Sequence, residues 1–273
     1  MMDRHARAVK ITDSITLGDG GLVVFAGPCS IESESITFEV AESLAKIREE
    51  LNIDIIFKSS YDKANRTSVD SYRSVGIDKG LKILSRVKED FVFPVITDVH
   101  ETDQVKPVAE VVDVLQIPAF LARQTDLLIK AGETGRAVNV KKGQFMSPHE
   151  MEFAAQKVSG GKKSNVFLTE RGSTFGYGDL VVDFRNFPIM RDFAPVVHDV
   201  THSIQQPAAL GGKSGGRSWL AEPLARAAVA VGVDGLFIET HPDPVNALSD
   251  GPNMIKTADL RHFLESLFTL NLR

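Results

Sequence analysis

The chain holds one cysteine in 273 residues. A lone thiol excludes an intramolecular disulfide framework, and a reducing compartment is the expected setting. Positive charge is not in excess, since 31 Lys and Arg against 36 Asp and Glu leave a net charge of −5. Global attraction to nucleic acid or to an anionic membrane is therefore not expected. No apolar run approaches the roughly 20 residues that span a bilayer. The first residues, MMDRHARAVKITDS, contain no apolar stretch of signal-peptide length, so a cytoplasmic protein is expected. No linker or low-complexity tract divides the sequence. What is present is ordinary for a soluble globular protein: 43% apolar and 25% charged residues. Cys29 stays open at this point, as a buried small hydrophobe, a nucleophile or a metal-bound thiolate.

Short β-branched runs recur at 22–25, 54–58, 93–98, 111–116, 137–141, 165–170, 195–200 and 234–239. Near-continuous apolar strands suit a parallel sheet buried on both faces. Helical patterns fill the intervals. Ile36, Val40, Leu44 and Ile47 mark one helix face, and Leu260, Phe263, Leu264 and Leu267 mark another. Ser147, Pro148 and Glu150 read as N-cap, N1 proline and N3 glutamate of a helix ending near Gly160. The alanine-rich stretch 223–231 stops at Gly232, a plausible terminating glycine. Eight β/α units predict an α/β fold, a (β/α)8 TIM barrel forming one domain over 1–273. Residues 1–21 contain a GDGG turn and predict a short N-terminal β-hairpin closing the barrel bottom. GGKSGG (211–216) reads as a mobile loop. An open doubly wound sheet is the competing fold.

In a barrel, chemistry sits at the C-terminal strand ends. Two groups of polar residues follow these ends. Lys58, Lys63, Arg66, Arg123, Lys141 and Arg171 gather cations, as a site for a small polyanion would. Singly, each reads as well as a surface salt bridge. Cys29, His202, Glu239 and Asp250 follow the first, seventh and eighth runs. In a closed barrel those strands are neighbours, so thiolate, imidazole and two carboxylates converge. That set suits one divalent transition metal ion: iron(II), zinc or manganese. A cysteine nucleophile at Cys29 and a Schiff-base lysine at Lys141 are competing readings. Asp250 within Ser-Asp-Gly-Pro also reads as a plain turn. His5, His149 and His262 read as surface residues.

AGPCSIES, FKSSYDKANRTS, ITDVHE, QIPAFLARQTDL, NVKKGQF, ERGSTFGY, DVTHS, SGGRS and FIETHPDPVNALSDGP run in order over nearly the whole chain. With these segments the sequence resembles the 3-deoxy-D-manno-octulosonate 8-phosphate synthase family, also called 2-dehydro-3-deoxyphosphooctonate aldolase. The resemblance implies a homotetrameric (β/α)8 enzyme of the cytoplasm. Its reaction joins phosphoenolpyruvate, arabinose 5-phosphate and water into the octulosonate 8-phosphate and inorganic phosphate, for lipopolysaccharide synthesis. It implies phosphoenolpyruvate binding by Lys58, Lys63, Ala119, Arg123, Lys141, Gln144 and Arg171. Arabinose 5-phosphate falls to Asn65, Arg66, Thr67 and Asp98, with Arg66 reaching across a subunit interface. Lys63, His202 and Asp250 are the expected proton-transfer residues. Cysteine at position 29, where a metal-independent class carries asparagine, points to the metal-dependent class with ligands Cys29, His202, Glu239 and Asp250. The shikimate-type heptulosonate synthase shares AGPCS but carries Lys-Pro-Arg-Thr, where this chain has Lys63-Ala64-Asn65-Arg66-Thr67. That relative and a non-catalytic phosphosugar-binding barrel are the alternative functions.

Overall fold

The structure, a computed structural model, describes residues 8–66, 68–160, 165–210 and 213–270. A hairpin of β1 (Val9–Lys10) and β2 (Thr16–Leu17) precedes the barrel. The first barrel strands are β3 (Val23–Gly27), β4 (Ile55–Lys58), β5 (Val95–Asp98) and β6 (Val114–Ile117). They are followed by β7 (Ala137–Lys141) and β8 (Val166–Glu170). A small hairpin, β9 (Ser173–Thr174) with β10 (Leu180–Val181), rises from the mouth. Then come β11 (Val196–Asp199), a second hairpin of β12 (Gln205–Leu210) and β13 (Lys213–Gly216), and β14 (Gly235–His241). A short β15 (Ile255–Lys256) extends β14. Strands β3 to β8, β11 and β14 are parallel neighbours in that order, and β14 pairs back to β3, so the eight close into a (β/α)8 barrel.

Among the described residues eight α-helices alternate with these strands. They are α1 (Glu34–Leu51), α2 (Ile77–Phe91), α3 (Thr102–Val111), α4 (Thr125–Gly132), α5 (Met151–Ser159), α6 (Asn186–Arg191), α7 (Ala221–Val231) and α8 (Thr257–Phe268). Val40, Leu44 and Ile47 of α1 are buried as the spacing predicts, while Ile36 is only partly covered. All four marked residues of α8 are buried. Gly160 and Gly232 end their helices in the left-handed conformation, which glycine adopts without a Cβ clash. No helix among the described residues is long and apolar enough to cross a membrane.

Side chains alternate along each strand between the barrel interior and the helix layer. The interior packs Val23, Phe25, Ile56, Ile96, Val114, Phe167, Val197 and Phe237 into one apolar cluster. Phe25 stacks on Phe167 with ring centroids 5.2 Å apart. Val9, Ile15 and Leu17 of the N-terminal hairpin join this cluster, so the hairpin plugs the bottom as expected. The outward residues, such as Val24, Phe57, Leu115 and Leu236, pack against the helices in a second cluster. The bottom is therefore apolar and sealed, and polar interior positions remain only toward the C-terminal ends.

Three local expectations are corrected. The helix expected from Pro148 begins at Met151, after a turn in which Ser147 and Glu150 exchange side-chain-to-backbone hydrogen bonds. The capping chemistry is present, but it closes a turn ahead of the helix. Residues 213–216 form β13 of the β12–β13 hairpin and not a plain loop, because main-chain pairing of Gln205 with Gly216 and Gln206 with Gly215 needs no side chain. Gly211 and Gly212 lie outside the described residues, as do residues 1–7. The run at 111–116 is shared: α3 ends at Val111 and β6 starts at Val114.

His198 points outward from β11, between Asp199 and Val197. Its ring meets Phe187 edge-on at 5.5 Å and Phe184 at 6.5 Å. Neither ring nitrogen has a hydrogen-bond partner among the described residues. Burial pulls its pKa down from 6.5 to about 4. The unfolded chain therefore binds this proton at a pH where the folded one does not. Stability is fully present above pH 6.5 and falls by up to about 1.4 kcal/mol per unit as pH drops toward 4. His198→Leu removes this proton uptake, so urea denaturation across that range should show a flatter pH dependence. An unchanged slope would refute the assignment.

Candidate active site

Strand parity decides which polar residues reach the mouth. Lys58, Asp98, Gln116 and Asp199 share the inward face with the apolar core residues two positions before them, and Lys141 shares it with Asn139 and the core residue Ala137. Lys142 and Glu170 fall on the other parity. Both are fully buried, and Lys142 Nζ is 3.4 Å from Glu170. Asn186 and the Gly172 amide complete the Glu170 shell, so this pair braces the wall and does not enter the site.

The mouth is a cavity of about 580 Å³. Lys58, Lys63, Lys141, Gln144 and Arg171 line it, together with Ala119. Asn65, Arg66 and Asp98 line it as well. His202 and Asp250 face it from the seventh and eighth loops. Arg123, expected at the phosphoenolpyruvate site, is exposed and does not line this cavity. Arg66 lines this cavity, with Nε donating to the Tyr72 carbonyl at 3.0 Å. Thr67 lies outside the described residues.

Closure of the barrel brings Cys29 to the eighth strand. β14 pairs with β3 so that Glu239 stands opposite Gly27. Gly27 is obligatory there, because a Cβ would sit 2.0 Å from the Lys58 carbonyl oxygen. Cys29 Sγ lies 3.2 Å from Asp250 Oδ2 and 2.8 Å from Ser249 Oγ. Ligand-type atoms of Cys29, Glu239 and Asp250 all lie within 4.8 Å of one another. His202 stands at the edge of this group, with Nε2 3.7 Å from Glu239 Oε2 and 4.0 Å from Asp250 Oδ2. Asp250 holds a left-handed backbone, φ 49°, which is strained for a side chain with a Cβ and concentrates at functional positions.

The donor set fits a divalent ion. Lys58 Nζ donates to Glu239 Oε1 at 2.7 Å, while Glu239 Oε2 is buried with no hydrogen-bond partner among the described residues. An orphaned carboxylate oxygen beside a thiol, a second carboxylate and an imidazole is the pattern a borderline metal completes. Burial opposes the charge of Glu239, but Lys58, His202 and Lys63 outweigh it and hold the carboxyl below its ordinary range. Burial, and then Glu239, push the Cys29 thiol up. Its thiolate therefore needs a cation to form.

The cation side is equally constrained. Lys141 donates to Asp199 Oδ2 at 2.6 Å and sits 3.6 Å above the Phe237 ring centroid. Burial lowers its pKa, with Asp199 opposing. Arg171 Nη2 donates to Gln205 Oε1 at 3.2 Å, and its Nη1 is buried without a partner among the described residues. The Gln205 amide in turn donates to Asp250 Oδ1 at 3.1 Å. On the opposite wall Thr169 donates to Asn139, Asn139 to Gln116, and Gln116 to Asp98. Every donor in that chain points toward Asp98, which Ser60 also serves. Burial works against the Asp98 charge, but Lys63, Lys58 and His100 hold its carboxyl below the usual range.

Asp199, Gln205, Ser249 and Phe237 have no role in the sequence reading. Parity was the available signal for Asp199, since it is two residues from the apolar interior position Val197. Gln205 opens β12 and Ser249 lies in the segment after β14, and no side-chain periodicity reports the path of either.

A sequence model of the DAHP synthetase I family matches residues 6–271. Over 260 residues the chain is 52% identical to the 2-dehydro-3-deoxyphosphooctonate aldolase of Campylobacter jejuni (strain 81-176), covering 91% of this chain and 96% of that one. It is 54% identical over 261 residues to the Synechococcus protein of that name, covering 93% of this chain and 92% of that one. For the Wolinella succinogenes protein of that name the identity is 52% over 261 residues, covering 92% and 99%. On this identity, which extends over nearly the full length of each relative, the chain belongs to the DAHP synthetase I family, among its 2-dehydro-3-deoxyphosphooctonate aldolases.

Proposed function

We propose that this enzyme condenses phosphoenolpyruvate with arabinose 5-phosphate and water, releasing inorganic phosphate and forming 3-deoxy-D-manno-octulosonate 8-phosphate. The observation that carries the reading is one cavity with cations at two separate places. Lys141 and Arg171 line it beside Asp199 and Gln205, and Arg66 lines it beside Ser249. Two anionic substrates can be held at once, and holding them together removes most of the entropic cost of meeting.

Lys141 and Arg171 bind the phosphate of phosphoenolpyruvate, with Gln144 beside them, while Lys58 and Lys63 balance its carboxylate. Asn65 and Arg66 hold the phosphate of the sugar, and Asp98 accepts from its hydroxyl groups. The enol carbon then forms the new bond to the aldehyde carbon, and the aldehyde oxygen becomes a hydroxyl with a proton from Lys63. Water adds to carbon 2 with His202 or Asp250 taking its proton, and phosphate leaves by carbon–oxygen cleavage. Cys29, His202, Glu239 and Asp250 hold one divalent ion, which supplies Lewis acidity toward a carbonyl oxygen or a water. Charge supports this assignment. Lys58, Lys63, Arg66, Lys141 and Arg171 are matched by Asp70, Asp98 and Asp250 of the lining together with Glu239 and Asp199, which pair with Lys58 and Lys141, so two anions need further positive charge. Iron(II), zinc and manganese all suit the donor set.

Cytoplasmic placement, a role in lipopolysaccharide synthesis and a homotetramer belong to the same reading. Phe120, Phe145, Phe153, Phe175 and Tyr177 are all more than half exposed, which supports burial of this surface by further copies. Light scattering should give a mass about four times 29.8 kDa, and a monomer mass would refute the tetramer.

Mixing both substrates should release phosphate, and either alone should not. Exhaustive chelation should abolish the release, and added manganese should restore it. Activity that survives chelation would refute the metal assignment, and preference for erythrose 4-phosphate would move the enzyme to the heptulosonate type. Arg66→Ala removes a charged phosphate contact of about 1.5–3 kcal/mol, so KM for the sugar should rise roughly 10- to 150-fold. A rise confined to phosphoenolpyruvate would overturn the division of the two phosphate sites.

A further inference from the structure

Asp199 is fully buried at the end of β11, and both of its oxygens are committed. Oδ2 accepts from Lys141 Nζ at 2.6 Å. Oδ1 accepts from the His202 backbone N–H at 2.9 Å, and His202 Nδ1 stands 3.1 Å from Oδ1 and 3.0 Å from Oδ2. A carboxylate can only accept, so Nδ1 is the ring nitrogen that carries the hydrogen. Nε2 is then left to face Glu239 Oε2 and Asp250 Oδ2. The two groups that Asp199 touches belong to different halves of the site. His202 belongs with the thiol and carboxylates, and Lys141 with the phosphate cations.

We propose that Asp199 is the positioning residue that ties these halves together: one carboxylate sets the tautomer and aim of His202 toward the metal ion while it aims Lys141 at the substrate phosphate. This rests on the metal assignment made above. Hydrogen bonding of a ligating histidine to a carboxylate raises its basicity and fixes its ring, and loss of such a partner costs roughly 10- to 100-fold in metal affinity. A merely structural Asp199, present to neutralise Lys141, would leave metal affinity alone. Because both halves lean on one anion, a single substitution should weaken two ligands that never touch each other.

The test uses the full chain, stripped with chelator and titrated with manganese(II), with free manganese read by electron paramagnetic resonance. Asp199→Asn keeps the shape and one acceptor oxygen, and Asp199→Ala removes both oxygens. Manganese affinity should fall about 10-fold in the asparagine variant and about 100-fold in the alanine variant. KM for phosphoenolpyruvate should rise in both, while circular dichroism and the melting temperature report a folded barrel. If the alanine variant does not fold, the asparagine variant decides. Folded variants that bind manganese within twofold of the unsubstituted chain overturn the proposal, whatever happens to phosphoenolpyruvate. If the unsubstituted chain itself takes up no manganese, the metal assignment fails and this proposal falls with it.

Discussion

The parallel pairing of β14 with β3 is the contact on which the site depends. It closes the sheet, sets Glu239 opposite Gly27, and thereby places the loop of Cys29 beside the loop of Asp250. These residues are 221 positions apart in sequence. No local propensity brings them together. A sheet left open at this seam would separate the thiol from both carboxylates and would also expose the Phe25–Phe237 interior. Gly27 is the residue that allows the approach, since even one methyl group would collide with the Lys58 main chain.

Above the apolar plug, the barrel concentrates charge where water is scarce. Lys58 and Glu239 are each about 1% exposed. Taking such ions out of water costs several kcal/mol apiece, and their attraction offsets that cost without a clear surplus. A barrel selected for stability alone would fill these positions with apolar side chains, as it does one layer lower. The charges therefore mark function. Their order is enforced by neutral connectors: the Gln205 amide links Arg171 to Asp250, and Gln116 with Asn139 and Thr169 orients Asp98. Each connector is a hydrogen-bonded side chain, so the protein itself holds the charged groups of the site in order.

Much of this was legible in the residues. The eight runs of β-branched residues correspond to eight barrel strands, because a strand buried on both faces must be apolar throughout. That same continuity concealed parity. Lys141 and Lys142 look alike as a pair, yet one enters the cavity and the other braces Glu170. Glu170 and Arg171 divide the same way. Arg123 follows a strand end as the other cations do, but it lies beyond the turn after β6 and faces solvent. The β12–β13 hairpin escaped detection because glycines and main-chain hydrogen bonds build it, and neither leaves a side-chain period.

By itself the sequence determined the alternation of strands and helices, the apolar hairpin that seals the barrel bottom, and the residue types available for chemistry. Those follow from burial and backbone propensity, which act over neighbouring residues. The tertiary structure alone decided which polar side chains share the mouth and which oxygen faces which nitrogen. It turned Lys142 and Glu170 away, left Arg123 outside, and joined Asp199 to both His202 and Lys141. Those outcomes depend on strand register and ring closure. Register is set by all eight strands at once, and no short segment of the chain contains it.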